Sequence, residues 1–320
     1  MIGGVSIPTP FRVGDVNAYL VEDDPLTLFD VGPNSARSYV ALEAGLATLG
    51  RRIEELERIV ITHQHADHLG LVDVLADRSG AAVCALDVLV PVVEDFQGYA
   101  ERNDVFAQAL LRRHGVPDQV VTTLGAVTRG YRGWGASAPV SEILHDGGEL
   151  GFAGRTFTVH HRPGHSPTDT VFFDAANGDL IAGDHLLRHI SSNPLIAILP
   201  SDGPETDRPH ALKTYMASMT ETRAMAVGTV FPGHGETFTG HAQLIDERFA
   251  MHERRAAKFA ALIAQAPISA HAIAVETWGQ IALTQALLTL SEVLGHVDLL
   301  IERDEVVEVE ADGVVQFTAA

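Results

Sequence analysis

Ile59-Val60-Ile61-Thr62-His63-Gln64-His65-Ala66-Asp67-His68 decides how the rest of the chain is read. A run of β-branched apolar residues, the composition of a buried strand, gives way to three histidines and an aspartate within six positions. Leu69, Val72 and Leu75 follow at helical spacing, so Asp67 and His68 are expected at the start of a helix. Imidazole and carboxylate are the ligand set of zinc and related transition metals. A strand-to-helix turn can aim His63 and His65 at one point and Asp67 and His68 at a neighbouring one, which suggests two metals rather than one. The chain carries 16 histidines, so some clustering is expected. An isolated histidine is ordinarily a surface or hydrogen-bonded core residue, but four donor side chains on one strand end are harder to explain that way.

Outward from this stretch, several other apolar runs end in donor residues with glycine or proline beside them. Thr156-Phe157-Thr158-Val159-His160 alternates and leads into Arg162-Pro163-Gly164-His165. Leu180-Ile181-Ala182 runs into Gly183-Asp184, and Thr229-Val230-Phe231 into Pro232-Gly233-His234. Glycine beside a ligand lets backbone approach a site closely. Upstream, Ala18 to Val21 and Leu26 to Phe29 read as a hairpin, closed by Asp30-Val31-Gly32-Pro33; a helix is expected from about Ser38 to Leu49, stopped by Gly50. Strands ending in ligands in both halves, with helices between, suggest two α/β halves meeting edge to edge.

The His-x-His-x-Asp-His stretch, with Asp30-Val31-Gly32 before it and Pro163-Gly164-His165, Ala182-Gly183-Asp184 and Pro232-Gly233-His234 after it, resembles the signature of the metallo-β-lactamase fold superfamily. The resemblance covers about the first three quarters of the chain. It implies an α/β fold, an αββα sandwich with the site along one edge between the sheets. It also implies roles for individual residues. His63, His65 and His165 would hold one metal, and Asp67, His68 and His234 a second. Asp184 would bridge them, and Asp30 would lie near the metals as an outer group. No ligand position is missing. Two divalent ions are therefore expected, with Zn2+ the first choice and Fe or Mn also suited to these ligands. A hydroxide held between two cations is a nucleophile at neutral pH; Asp67 could orient it, which makes Asp67 and Asp184 the catalytic carboxylates.

The remaining candidates come from position. His185, Arg188 and His189 lie just beyond Asp184 and are possible outer or substrate contacts. The catalytic domain is expected to span residues 1–240 with a helical insert at about 88–140. The glycine-rich piece Arg129-Gly130-Tyr131-Arg132-Gly133-Trp134-Gly135 near the end of that insert reads as a mobile loop, a surface connection or a substrate lid, whose Tyr131 and Trp134 could line a pocket. Residues 241–320 read as a helical, winged-helix-like region: a helix over about 249–264, a second from Ser269, a third from Thr284 to Leu294 stopped by Gly295, and a hairpin turning at Ala311-Asp312-Gly313. A similar tail occurs in the lactamase-β-like protein 2 branch of the superfamily.

Composition narrows the function classes. At 320 residues with 42 acidic against 22 basic side chains, the net charge is −20. That opposes a large phosphate-binding surface, so nucleic acid is not an expected partner. The acidic run Glu302, Asp304, Glu305, Glu308, Glu310 makes the tail a poor DNA reader and a better candidate for packing or for a homodimer contact. The single cysteine, Cys84, sits in an apolar run and fits a reducing compartment and a buried inert thiol. Without a visible signal peptide or an apolar run long enough to span a bilayer, a cytoplasmic, non-membrane protein is expected. The expected activity is thioesterase-like hydrolysis of a small-molecule ester, thioester or lactone, as in glyoxalase II-like relatives. Two readings stand beside it: a mononuclear-iron persulfide dioxygenase using His63, His165 and Asp184, and an endoribonuclease of the lactamase-β-like protein 2 type.

Overall fold

Two mixed β-sheets lie face to face, and their apolar residues meet between them. The structure, a computed structural model, describes all 320 residues. The first sheet holds β1 (Ile2–Ile7), β2 (Val16–Val21), β3 (Thr27–Phe29), β4 (Arg58–Ile61), β5 (Ala82–Leu86) and β6 (Glu142–Leu144) in that spatial order. β1 to β3 pair antiparallel, and β3 to β6 pair parallel. The parallel strands are buried on both faces, and Ile59, Val60, Ile61, Val83 and Cys84 accordingly form continuous apolar runs. The second sheet holds β7 (Glu149–Gly151), β8 (Thr156–His161), β9 (Thr170–Asp174), β10 (Asp179–Gly183) and β11 (Thr229–Pro232), ordered β11-β10-β9-β8-β7. Phe29 joins the sheets, its ring centroid 5.0 Å from that of Phe172 and 5.9 Å from that of Phe157.

Helices cover the outer faces. The helix Ala36–Thr48 packs on β1, with Leu42 and Leu46 buried, and Gly50 beyond its end takes the left-handed conformation expected of a terminator. On the second sheet, Leu212, Tyr215 and Met219 of the helix Ala211–Arg223 and Ile245 of the helix His241–Ile263 cover Val171, Leu180, Ala182 and Val230. This is the expected αββα order. β1 was not apparent in the sequence, because its Gly3-Gly4 pair argues against a strand. Both glycines admit neighbours, Leu49 against Gly3 and the Tyr19 ring against Gly4.

Between β5 and β6 the chain forms the helices Val90–Glu94, Phe96–Arg113 and Asp118–Tyr131. The glycine-rich piece is not a loop: the last helix runs through Tyr131, and Arg132–Trp134 form a 3-10 turn. Tertiary anchors override its composition. Arg132 pairs through Nε and Nη2 with Asp104, and the Trp134 carbonyl accepts the Asn34 N–H at 2.7 Å.

Past Gly240 come the helices His241–Ile263, Ala270–Trp278, Ile281–Thr284 and Ala286–Glu302, then a three-stranded sheet of β12 (Ile268–Ser269), β13 (Val306–Ala311) and β14 (Val314–Ala319). The hairpin turns at Asp312-Gly313 as expected, both at positive φ. Gly295 does not stop its helix. A Cβ there would lie 2.6 Å from Cβ of Leu212, so the glycine instead allows two helices to approach closely. Leu290, Val293, Leu294, Val297 and Leu300 of this helix join the same continuous core as β3, β4 and β5. The first helix of this region starts well before the expected 249. No helix is long and apolar enough to cross a membrane.

Candidate metal centre

β4 ends at Ile61, and the chain turns through Thr62–His65 into a single helical turn, Ala66–Leu69. That turn delivers His63, His65, Asp67 and His68 to the sheet edge. β8 leads to His165, β10 to Asp184 and β11 to His234, so all seven predicted donors converge from both sheets. They form two groups. His63, His65, His165 and Asp184 place one donor atom each within 4.8 Å of one another, and Asp67, His68 and His234 do the same. In the first group, Nδ1 of His65 lies 3.0 Å from Nε2 of His63 and 3.0 Å from Nε2 of His165. Asp184 spans the groups: Oδ1 is 3.4 Å from Nε2 of His68, while Oδ2 is 3.6 Å from Nε2 of His165 and 3.4 Å from Nε2 of His234. Oδ2 of Asp67 lies 3.5 Å from Nε2 of His234.

Each inward-facing imidazole but that of His65 is held by its other nitrogen. Nδ1 of His63 meets the Thr62 hydroxyl at 3.0 Å, and Nδ1 of His68 meets Oδ2 of Asp30 at 2.7 Å. Nδ1 of His165 donates to the Asn193 carbonyl at 2.9 Å, and Nδ1 of His234 to the Asp15 carbonyl at 2.8 Å. A carbonyl only accepts, so it fixes the proton on Nδ1 and leaves Nε2 facing the centre, the outer support that metal-ligating histidines require. Three atoms that would meet there, Nε2 of His68, Nε2 of His234 and Oδ1 of Asp184, are buried without a hydrogen-bond partner. Orphaned buried polar atoms are costly, and cations between them would satisfy all three. The donor set therefore fits divalent metal.

The electrostatics agree. Burial, reinforced by neighbouring imidazoles, pushes His63 well below the usual histidine range and His65 down to about 3, so both stay neutral as ligands must. Burial also works against charge on His68 and His234, but Asp184, with Asp30 at His68 and Asp67 at His234, outweighs it. His68 is raised well above its usual value, and His234 to about 10. Burial opposes ionisation of Asp184 as well, yet His234 and His68 hold its carboxyl well below the usual range. The buried carboxylates thus favour positive charge at the positions that cations would take.

Gly233 shows how tightly the site is packed. A Cβ there would lie 2.2 Å from Oδ1 of Asp184 and 2.8 Å from Cε1 of His68.

The outer candidates divide. Asp30 lies against the donor groups, buried and bonded to His68 and to the N–H and hydroxyl of Thr62. His185 is not: its Nε2 meets the Thr222 hydroxyl at 2.9 Å and its ring packs edge-on to Tyr215, because the residue after Asp184 faces the covering helix instead. Arg188 is exposed, and its side chain forms neither a hydrogen bond nor an ion pair; only its carbonyl is held, by Arg248. His189 sits beside the ligand loop, its Nδ1 2.7 Å from where a Cβ on Gly235 would be. Tyr131 packs edge-on against Phe11, and Trp134 is tied to Asn34 by its backbone; neither contacts the seven donors by hydrogen bond or ring. Sequence reasoning missed Thr62, Asn193 and Asp15. Thr62 adjoins the motif and could have been found, whereas the other two act through backbone carbonyls, which every residue has. Cys84 is buried as expected, its thiol pushed up by burial and by Glu142.

Comparison with known proteins identifies the family. The family model described as "Metallo-beta-lactamase superfamily" matches residues 11–234, from before β2 to the last donor, His234. A "Probable metallo-hydrolase YqjP" of Bacillus subtilis (strain 168) is 32% identical over 297 residues, 92% of this chain and 91% of that protein. Among solved structures, a beta-lactamase domain protein from Burkholderia ambifaria superposes with a TM-score of 0.83 at 27% identity, covering 100% of this chain and 92% of that one. A metallo-beta-lactamase family protein from Thermus thermophilus gives 0.79 at 24% identity, covering 100% and 98%, a likeness of fold. The match spans every donor-bearing strand end, and the chain belongs to the metallo-β-lactamase superfamily.

Proposed function

We propose that the chain is a dinuclear metal-dependent hydrolase of small esters, thioesters or lactones. The observation that carries this reading is the placement of Asp184, whose two carboxylate oxygens face both donor groups at once. His63, His65 and His165 would hold one ion, Asp67, His68 and His234 the other, with Asp184 common to both. Bound there, two divalent ions, Zn2+ first among them, would supply a hydroxide nucleophile at neutral pH and polarise the substrate carbonyl. The name of the Bacillus relative, a probable metallo-hydrolase, supports the same class.

The chain's own residues do the positioning. Burial works against ionisation of Asp67, yet contact with His234 and the charges of His68 and His234 hold its carboxyl below the usual range. Asp67 therefore remains an acceptor at neutral pH, able to orient a water for attack. The water oxygen bonds to the acyl carbon, the carbon–oxygen or carbon–sulfur bond breaks, and the alcohol or thiol leaves with a proton. Thr62, Asp30, Asn193 and Asp15 keep the imidazoles of His63, His68, His165 and His234 fixed throughout, so little reorganisation accompanies the reaction. A net charge of −20 disfavours polyphosphate substrates.

The test is elemental analysis of unsupplemented protein beside Asp184→Ala, with a panel of thioesters, esters and lactones. Two metal ions per chain and hydrolysis, both lost in Asp184→Ala, are expected. A single iron per chain, or a variant that keeps metal and activity, would overturn the reading.

A further inference from the structure

Between Gly183, the end of β10, and the helix that starts at Ala211, the chain forms neither helix nor strand. Backbone in such a stretch keeps its orientation only where other elements hold it. Yet this stretch supplies the Asn193 carbonyl, which accepts from Nδ1 of His165 at 2.9 Å and so orients a donor of the first metal group. Whatever fixes that carbonyl therefore acts on the metal centre.

The holding element is the helix Ala286–Glu302. Nδ2 of Asn193 donates to the Leu288 carbonyl at 3.1 Å and to Oε2 of Glu292 at 3.3 Å, and the Ser291 hydroxyl accepts the Ile196 N–H at 3.1 Å. Leu288, Ser291 and Glu292 stand at i, i+3 and i+4, so one face of the helix makes all three contacts. Glu292 is itself locked. It is 6% exposed, its Oε1 is paired with Arg255, and its carbonyl accepts from Nδ1 of His296 at 2.6 Å. A buried carboxylate with its partners in place is a stiff anchor. The other held donors do not depend on this helix. His63 is supported by its neighbour Thr62, and His68 and His234 by Asp30 and the Asp15 carbonyl.

We infer that the helix Ala286–Glu302 is a positioning element of the first metal group: by gripping the Asn193 side chain it aims the Asn193 carbonyl at His165, and so sets how tightly that group, rather than the second, holds its ion. Asn193 and Glu292 are the positioning residues. The inference rests on the two-metal part of the hydrolase reading and is independent of which bond is hydrolysed. It gives the C-terminal region, which supplies none of the seven donors, a role at the metal centre.

The test reads metal affinity and ligand geometry without turnover. Metal-free protein, with its C-terminal region intact, is titrated with cobalt(II) against a chromogenic chelator, and the hyperfine-shifted imidazole N–H signals of the loaded protein are recorded by proton NMR. Asn193→Ala removes both side-chain bonds and keeps the backbone carbonyl. One of the two binding steps should weaken about 10- to 100-fold, the other should change far less, and the N–H signal of His165 should shift or be lost to exchange. Asn193→Asp sets a carboxylate against Glu292 and should weaken the same step further. Combining it with Glu292→Gln exchanges amide and carboxylate, restores a donor–acceptor pair beside Arg255, and should recover part of the loss.

Unchanged affinities in Asn193→Ala would overturn the inference, as would equal weakening of both steps, the mark of a general loosening of the fold. So would a double variant that binds no better than Asn193→Asp alone. A wild-type protein that takes up a single ion would refute the two-metal reading by itself. In that case a fall in the ion's affinity in Asn193→Ala, with the His165 signal displaced, would sustain the positioning role, and an unchanged affinity would overturn it.

Discussion

Asp30 and His68 are joined by a 2.7 Å contact between Oδ2 and Nδ1 that lies wholly inside the protein, with both side chains buried. Asp30 takes positive φ, 57°, to make it, and its other oxygen accepts the Thr62 N–H at 2.9 Å. One carboxylate thus orients a donor of the second metal group and pins the backbone just before His63.

Asp30→Asn keeps the shape and suits the left-handed conformation, which asparagine tolerates, so it isolates the loss of charge. Metal affinity should fall about 10- to 100-fold, the usual effect of removing an outer support. Competition with a chromogenic chelator measures it; unchanged affinity would show that His68 does not depend on this contact.

Gly233→Ala puts a methyl group where Oδ1 of Asp184 now lies, 2.2 Å away. The variant is expected to keep its far-ultraviolet circular dichroism and lose most of its metal, because the buried carboxylate of Asp184 must move aside, with the His68 ring crowding the same methyl group. Full metal occupancy with normal secondary structure would mean that Asp184 moves freely, against a bridging position.

The docking of the C-terminal helices has its own ionic anchor. Asp298, on the buried helix Ala286–Glu302, takes both guanidinium nitrogens of Arg208 and lies 2.9 Å from Nδ1 of His210. Asp298→Ala leaves the half-buried Arg208 uncompensated and should cost about 3 kcal/mol, seen as a lower urea midpoint at unchanged m-value.

Acid should destabilise the fold through histidines outside the two donor groups. Burial, with Arg208 near one and His296 near the other, lowers His114 and His252 to about 3. The unfolded chain binds these protons near pH 6.5 and the folded chain does not, so their stabilising contribution is present above pH 6.5 and lost as pH falls toward 3. By pH 5 the loss is about 2 kcal/mol for each. Urea unfolding of metal-free protein at pH 7 and pH 5 reads it. His114→Phe, at a ring stacked 6.2 Å from Phe317, should remove about half of the part due to this pair. An unchanged pH slope would refute the assignment of His114.

The seven donors are legible in the sequence because each breaks an apolar or glycine-rich strand end with a side chain that has little other reason to be buried there. Fold class follows from the same places: strands ending in ligands in both halves need two sheets sharing an edge. Asp30, too, announces itself at the end of β3. His185 shows the limit. Sequence adjacency to Asp184 suggests a shared site, but the residue that follows this ligand faces the opposite way and belongs to the covering helix.

Other features depend on partners distant in sequence. Arg132 and Trp134 turn a glycine-rich piece into helix and 3-10 turn through Asp104 and Asn34, and Leu212 makes Gly295 a contact point rather than a terminator. The carbonyls of Asn193 and Asp15 orient two ligands with groups that carry no sequence signal. The sequence by itself determined which side chains can bind metal and the order in which the strands present them, since donor chemistry and strand periodicity are local properties. Only the tertiary structure decided which nitrogens face inward, how Asp184 spans the two groups, and that the C-terminal helices dock against the loop that supports His165, because those outcomes depend on contacts between residues up to 219 positions apart.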